Sequence, residues 1–110
     1  MKQFELWWGD LTAPVGRRPV LLLTRDAGYS YLNNVMVAEI TTTIRGIPVE
    51  VVLGRAEGLK VHSVVNLDNV HVISKARLNT RIGALGPERV VLVKRALGWA
   101  LDWAELKQHA

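Results

Sequence analysis

The sequence predicts an α+β domain, mainly β: a small antiparallel barrel or half-barrel of short strands, capped by one C-terminal amphipathic helix. Three observations carry this. Short apolar or alternating runs recur at close spacing from Phe4 to Leu85, bounded by Gly, Pro, Asn and Asp. Helical periodicity is confined to the end of the chain, where Pro87 follows Gly86. At 110 residues the chain can build one core but not two, and it shows no repeat, low-complexity segment or linker, so residues 1–110 read as a single domain.

The elements follow in order. Lys2 to Leu11 sets Phe4, Leu6 and Trp8 against Gln3, Glu5 and Trp7, the period of a strand. Thr12 to Gly16 is a short loop. Pro19 to Thr24 is a strand whose unbroken apolar run predicts burial on both faces, with Pro at its first position, where no internal ladder bond is lost. Arg25 to Asn34 is the longest loop. Val35 to Ile40 is the next strand, ended or continued by Thr41-Thr42-Thr43, and Gly46 and Pro48 turn the chain into a strand from Val49 to Leu53. Gly54 to Gly58 is a charged turn, Val61 to Leu67 and Val70 to Ile73 two short strands, and Lys75 to Leu78 one helical turn. Arg81 to Leu85 is a short strand or connector. From Pro87 to Gln108 the pattern predicts one helix, with Val90, Val93, Leu97, Ala100, Leu101 and Ala104 on one face and Glu88, Arg95, Asp102 and Glu105 on the other. Trp99 and Trp103, one turn apart, are expected to pack this helix on the sheet, and Trp7 and Trp8 to be core and interface residues.

Composition narrows the function classes. Apolar residues make up 49% and charged residues 22%, as in a folded globular protein. Fourteen Lys and Arg against ten Asp and Glu leave +4, a balance suited to nucleic acid or an acidic partner and equally to a mildly basic protein with neither. The absence of Cys removes disulfides, thiolate metal sites and a Cys nucleophile. No signal-like run opens the chain and no apolar stretch approaches the ~20 residues that span a bilayer, so a soluble cytoplasmic protein is expected. His62, His71 and His109 show no metal-ligand spacing, and His62 and His71 read as ordinary strand residues. No Gly-rich phosphate loop is present.

The segment Gly16-Arg17-Arg18-Pro19-Val20-Leu21-Leu22-Leu23 says most about chemistry. It puts two guanidinium groups where a loop enters a buried strand. A guanidinium keeps its proton near neutrality and presents a planar fork of donors to phosphate. Arg17 reads as a phosphate-steering residue. Arg25, Lys75, Arg77 and Arg81 would extend a basic groove or form a solvated rim. Tyr29 and Tyr31, two apart in the long loop, either stack on unpaired bases or divide between core and solvent.

The order of these pieces resembles the MazF/PemK family of toxin endoribonucleases. The resemblance rests on Glu5-Leu6-Trp7, Arg18-Pro19-Val20-Leu21, Val37-Ala38-Glu39-Ile40-Thr41 and Pro48-Val49-Glu50-Val51-Val52-Leu53. Downstream it continues through Gly58-Leu59-Lys60, Ser63 to Val70, Arg77-Leu78 and Ile82-Gly83-Ala84-Leu85. Two departures stand out: Phe4 where the family begins its first strand with Gly, and only Thr12 to Arg17 where many members carry a longer loop.

The resemblance implies an SH3-like barrel and a homodimer with single-stranded RNA bound across the subunit interface. It also implies neutralisation by a cognate antitoxin whose acidic tail fills the same groove. The implied reaction needs no metal or other cofactor: the ribose 2′-hydroxyl attacks the neighbouring phosphate and leaves a 2′,3′-cyclic phosphate. Arg18 matches the family's catalytic Arg and is expected to stabilise the phosphorane charge. Thr41 matches the Thr paired with it, although by residue type alone it is a good strand residue beside Thr42 and Thr43. Asp68 aligns with an Asp that some members use near the scissile phosphate, and is also a routine turn residue next to Asn69. Asn66 stands where some relatives have Arg. Two alternatives remain on the same fold: a non-enzymatic toxin that poisons DNA gyrase, and a catalytically inactive module that binds antitoxin or nucleic acid.

Overall fold

Alternating side chains in short strands demand a sheet with two distinct faces, and a computed structural model describing all 110 residues has that architecture. Six strands, β1 (Glu5–Asp10), β2 (Arg17–Leu22), β3 (Asn34–Thr41), β4 (Glu50–Leu53), β5 (Ser63–Ser74) and β6 (Leu78–Ala84), form one antiparallel sheet in the order β4-β5-β3-β2-β1-β6. The helix α1 (Pro87–Leu101) lies on one face, and a short α2 (Ala104–Lys107) follows it. Short 3-10 turns cover Asp26–Ser30, Arg55–Glu57 and Lys75–Arg77. No helix is long and apolar enough to cross a membrane.

The sheet curls until its two edges nearly meet. The 3-10 turn after β4 packs on β6, where a Cβ on Gly83 would lie 2.1 Å from the Glu57 carbonyl oxygen. Only a residue without a side chain lets the two backbones approach so closely.

Each face carries its own apolar cluster. On the helix side, Leu6, Leu21, Ala38, Ile40, Val51, Leu53, Val65 and Leu67 pack with Val93 and Ala96 of α1. On the opposite side, Val20, Leu22, Val35 and Val37 pack with Leu11, Tyr29 and Leu78. The continuous run of β2 is therefore buried on both faces, as its composition predicts, with Val20, Leu21 and Leu22 fully enclosed. At roughly 25 cal/mol per Å² of apolar surface removed from water, these two clusters are the main force holding the strands together.

Three expectations are corrected. The two short strands read at Val61 to Leu67 and Val70 to Ile73 are one strand, β5. Its register against β3 jumps from Ala38↔Val70 to Glu39↔Asn66, leaving Leu67, Asp68 and Asn69 without partners on β3. The Asp-Asn turn signal is a bulge inside a strand. The single C-terminal helix breaks at Asp102, which adopts the left-handed conformation (φ 56°) and donates its N–H to the Gly98 carbonyl. The chain then folds back, with Leu106 and Lys107 so close to Gly98 that a Cβ there would fall within 2.5 Å of the Lys107 nitrogen. Trp99 and Trp103, expected against the sheet, are more than half exposed, and Lys107 Nζ lies 4.4 Å from the Trp99 ring centre.

Candidate functional site

The Arg-Arg pair sits on β2 itself, two residues earlier than the expected strand start. Alternation sends the two side chains to opposite faces. Arg17 points outward, its guanidinium 4.5 Å above the Trp8 ring. Arg18 shares a face with Val20 and Leu22, at the end where that apolar cluster gives way to polar residues.

There Arg18 lines a wholly polar pocket of about 270 Å³ with Thr41, Asn66, Asn69, Glu39 and Glu50. The register explains the convergence: Glu39 of β3 lies opposite both Val20 of β2 and Asn66 of β5, and Asn66 in turn opposes Glu50 of β4. Glu39 is buried. Its Oε1 accepts from Arg18 Nη1 at 3.1 Å, and its Oε2 pairs with His71 Nε2. Carboxylates are almost never buried unless paired, and here one carboxylate joins a guanidinium and an imidazole from the strands on either side. Glu50 Oε1 accepts from the backbone N–H groups of Arg45 and Gly46, fixing the loop that rims the pocket. Arg18 Nε and Glu50 Oε2 are buried without a partner in the chain, beneath the groups that line the pocket surface.

Arg18 and Thr41 are thus brought together as expected. Asp68 is not with them: the bulge turns it toward a separate, mostly apolar cavity of about 660 Å³, bounded by Phe4, Met36, Val70, Leu97 and Trp103. Asp68 N–H donates to Asn66 Oδ1 at 2.8 Å, which shapes the bulge and leaves Asn69 on the Arg18 side.

The expected RNA-contacting residues divide. Arg17 and Arg77 meet at Asp10: Arg17 opposes it in the β1–β2 register, and Arg77 Nη1 donates to its carbonyl at 3.2 Å. This puts a basic rim one residue along from Arg18. Arg25 is engaged with Tyr31, donating to its hydroxyl with the guanidinium 5.6 Å from the ring centre. Tyr31 is 61% exposed and free to stack. Tyr29 is a correction: its ring belongs to the buried cluster, and burial pushes its phenol up to about 12, so it presents no stacking face. Lys75 Nζ is held by the Tyr29 carbonyl at 2.8 Å, tying the 3-10 turn to the end of β5. Arg81 is paired with Glu5 at 2.9 Å.

Glu39 and His71 escape a reading of the sequence, because they are 32 residues apart and meet only through the sheet. One signal pointed to Glu39: a carboxylate inside the apolar run Val35 to Ile40 must find a cation. No three His, Cys, Asp or Glu side chains converge at metal-ligand range.

A curled six-stranded sheet with one helix on its back and an arginine–threonine pocket at its strand ends defines a small β-barrel domain with a polar site lined by charges of both signs. The family model for PemK-like, MazF-like toxins of type II toxin–antitoxin systems matches residues 2–101, and the chain belongs to that family. It is 43% identical over 99 residues to the probable endoribonuclease MazF5 of Mycobacterium tuberculosis (strain ATCC 25618 / H37Rv), covering 89% of this chain and 90% of that one. Its fold matches the solved Mycobacterium tuberculosis toxin MazF-mt6 with a TM-score of 0.84 at 38% identity, over 89% of this chain and 96% of that one. A mycobacterial endoribonuclease solved in complex with its cognate antitoxin also matches at 0.84, at 26% identity over 94% and 96% of the two chains.

Proposed function

We propose that this toxin is a sequence-specific endoribonuclease that cleaves single-stranded RNA without a metal and leaves a 2′,3′-cyclic phosphate. The observation that carries the reading is the meeting of Arg18 and Thr41 in one polar pocket, in a chain 43% identical to a protein named as an endoribonuclease. A phosphate entering the pocket would meet the exposed part of the Arg18 guanidinium and the hydroxyl of Thr41. These donors lower the barrier by meeting charge as it grows on the phosphorane oxygens. Arg17 and Arg77 steer the neighbouring phosphates, Arg25 with Tyr31 offers a base-stacking platform, and Arg81 lies on β6, the strand that follows the Arg77 turn. Asp68 opens onto the helix-side cavity, and the reading gives it no part in proton transfer.

The partners follow from the same reading. A cognate antitoxin with an acidic tail suits the +4 chain, and a relative solved with its own antitoxin supports it. A homodimer is supported by exposed apolar residues on the helix side, where Met36 and Val72 are cross-strand neighbours beside Val70. A cytoplasmic location is the setting in which RNA and antitoxin would both be met.

The test is to incubate the purified protein with a long unstructured RNA in excess chelator, beside Arg18→Ala, and map the cut ends. Cuts at a short preferred sequence by the unaltered protein alone, with cyclic phosphate ends, are expected. Loss of cutting on chelation would overturn the metal-free mechanism. No cuts by either protein, with or without added metal, would move the reading to a toxin that acts by binding.

A further inference from the structure

Resting on the ribonuclease reading, we propose that His71, oriented by Glu39, is the general base that takes the proton from the attacking 2′-hydroxyl. Attack by this oxygen requires a base, and the titratable acceptors that line the polar pocket are Glu39 and Glu50. A guanidinium only donates, so Arg18 cannot serve. Both oxygens of Glu39 are occupied, one by Arg18 and one by His71. Glu50 holds two backbone N–H groups with Oε1, and its Oε2 is buried out of reach of solvent.

His71 is not a lining residue of that pocket; it borders a separate opening, joined to Arg18 through Glu39, and there it has an unused lone pair. Its Nε2 faces Glu39 Oε2, and a carboxylate only accepts, so Nε2 carries the hydrogen. In the neutral ring, Nδ1 is then the acceptor, and it makes no hydrogen bond within the chain. The side chain is 34% exposed and borders an opening it shares with Thr12, Ser74 and Arg77. Arg18 and His71 hold the two oxygens of one carboxylate, so Glu39 links the Arg18 pocket to the opening that the imidazole borders. The charged groups facing the ring are Glu39 from β3, Arg18 from β2, and Arg77 from the turn before β6.

The step balances simply. The 2′-oxygen forms a bond to phosphorus while its proton passes to Nδ1. The bond from phosphorus to the 5′-oxygen breaks, that oxygen leaves with the electron pair and takes a proton from water, and the imidazolium later returns its proton to solvent. Glu39 touches no reacting atom and is a positioning residue: it sets the tautomer and the angle of the ring.

The experiment uses the full chain in chelator, with an RNA spanning the site mapped for the unaltered protein. His71→Gln is expected to slow cutting at saturating RNA about 100-fold, the scale of a lost general base. It should also flatten the dependence of the cutting rate on pH, because the group that takes the proton is gone. RNA affinity should change by less than about threefold, since His71 adds no phosphate contact. Added imidazole should restore at least tenfold to His71→Gly. Glu39→Gln should slow cutting about tenfold, and the double variant should be no slower than His71→Gln alone, because the two residues act as a unit.

A His71→Gln protein with the original rate and pH profile would overturn the proposal. So would a folded His71→Gly protein that imidazole does not rescue. If His71→Gly fails to fold by circular dichroism, the rate and pH profile of His71→Gln decide. An unaltered protein that cuts no RNA sinks the ribonuclease reading itself, whereas cutting that survives loss of His71 sinks only this assignment.

Discussion

Arg17 and Arg18 are neighbours in the chain and strangers in the fold. Arg17 stands at the end of the β2 face that carries Leu21, stacked on Trp8 and otherwise in water. Arg18 stands on the inner face, bonded to the buried Glu39 and sharing a polar pocket with Thr41. Both carry the same charge and differ in what surrounds it. A solvated guanidinium is screened within about 8–10 Å and mobile, so it adds to a field. A guanidinium fixed by a buried carboxylate keeps its donors in one place and can aim them at an oxygen whose charge is growing. The comparison teaches that the strand period, by choosing the face, gives two adjacent arginines different surroundings.

The sharpest way to break this comparison is to remove each arginine in turn. Arg18→Ala is expected to reduce RNA cutting by about 1,000-fold, the scale of a lost oxyanion donor. Arg17→Ala should retain the cutting rate at saturating RNA and only weaken binding, lowering the slope of log affinity against log salt by about one. Equal effects from the two substitutions, read from single-turnover rates and a salt titration, would refute the division by face.

The next largest effect concerns Glu39. Its side chain is 10% exposed, and removing it as Glu39→Leu leaves Arg18 as a poorly solvated cation without a counterion. The expected loss is about 3 kcal/mol in urea unfolding. Replacing Arg18 by Met in the same protein should recover most of that loss, because an apolar pair of similar volume needs no desolvation of charge. A Glu39→Leu protein as stable as the original would mean that water already solvates Arg18 and that the ion pair contributes little.

What was legible in the sequence follows the same physical line. β2, β3 and β4 can be read because apolar runs and alternation are local signals, and the meeting of Arg18 and Thr41 in one pocket because their motifs match a family in order. β5 reads as two strands because its bulge carries Asp68 and Asn69, residue types that turns also favour. The helix break at Asp102 has no Pro to announce it. Its only trace is Gly98, one turn earlier, which the returning chain needs for close approach. Tyr29 and Tyr31 are alike in sequence, and only the 3-10 turn over Asp26–Ser30 decides that one enters the core while the other faces solvent. The link from Glu39 to His71 depends on the register of β3 with β5, which the same bulge resets and no local pattern encodes.

The smallest predicted effect extends the comparison to a third arginine, Arg81, whose carboxylate partner Glu5 is half-buried on β1 while Arg81 itself is exposed. Burial alone would push the Glu5 carboxyl up. It is outweighed by hydrogen bonds from Trp7 Nε1 and Arg81 Nε and by the Lys2 N–H, which together hold the group below the ordinary carboxylate range. A carboxyl that binds its proton less tightly when folded stabilises the fold when ionised. Its contribution is therefore complete above the ordinary range and disappears as pH falls through the lowered folded value. Screening around the exposed Arg81 keeps it near 1 kcal/mol. Glu5→Gln should thus lower stability by about that amount at pH 7, and the gap between the two urea midpoints should close as the pH is taken below the carboxylate range. A gap that stays constant with pH would assign the effect to the packing of Trp7 against its neighbour and not to the charge.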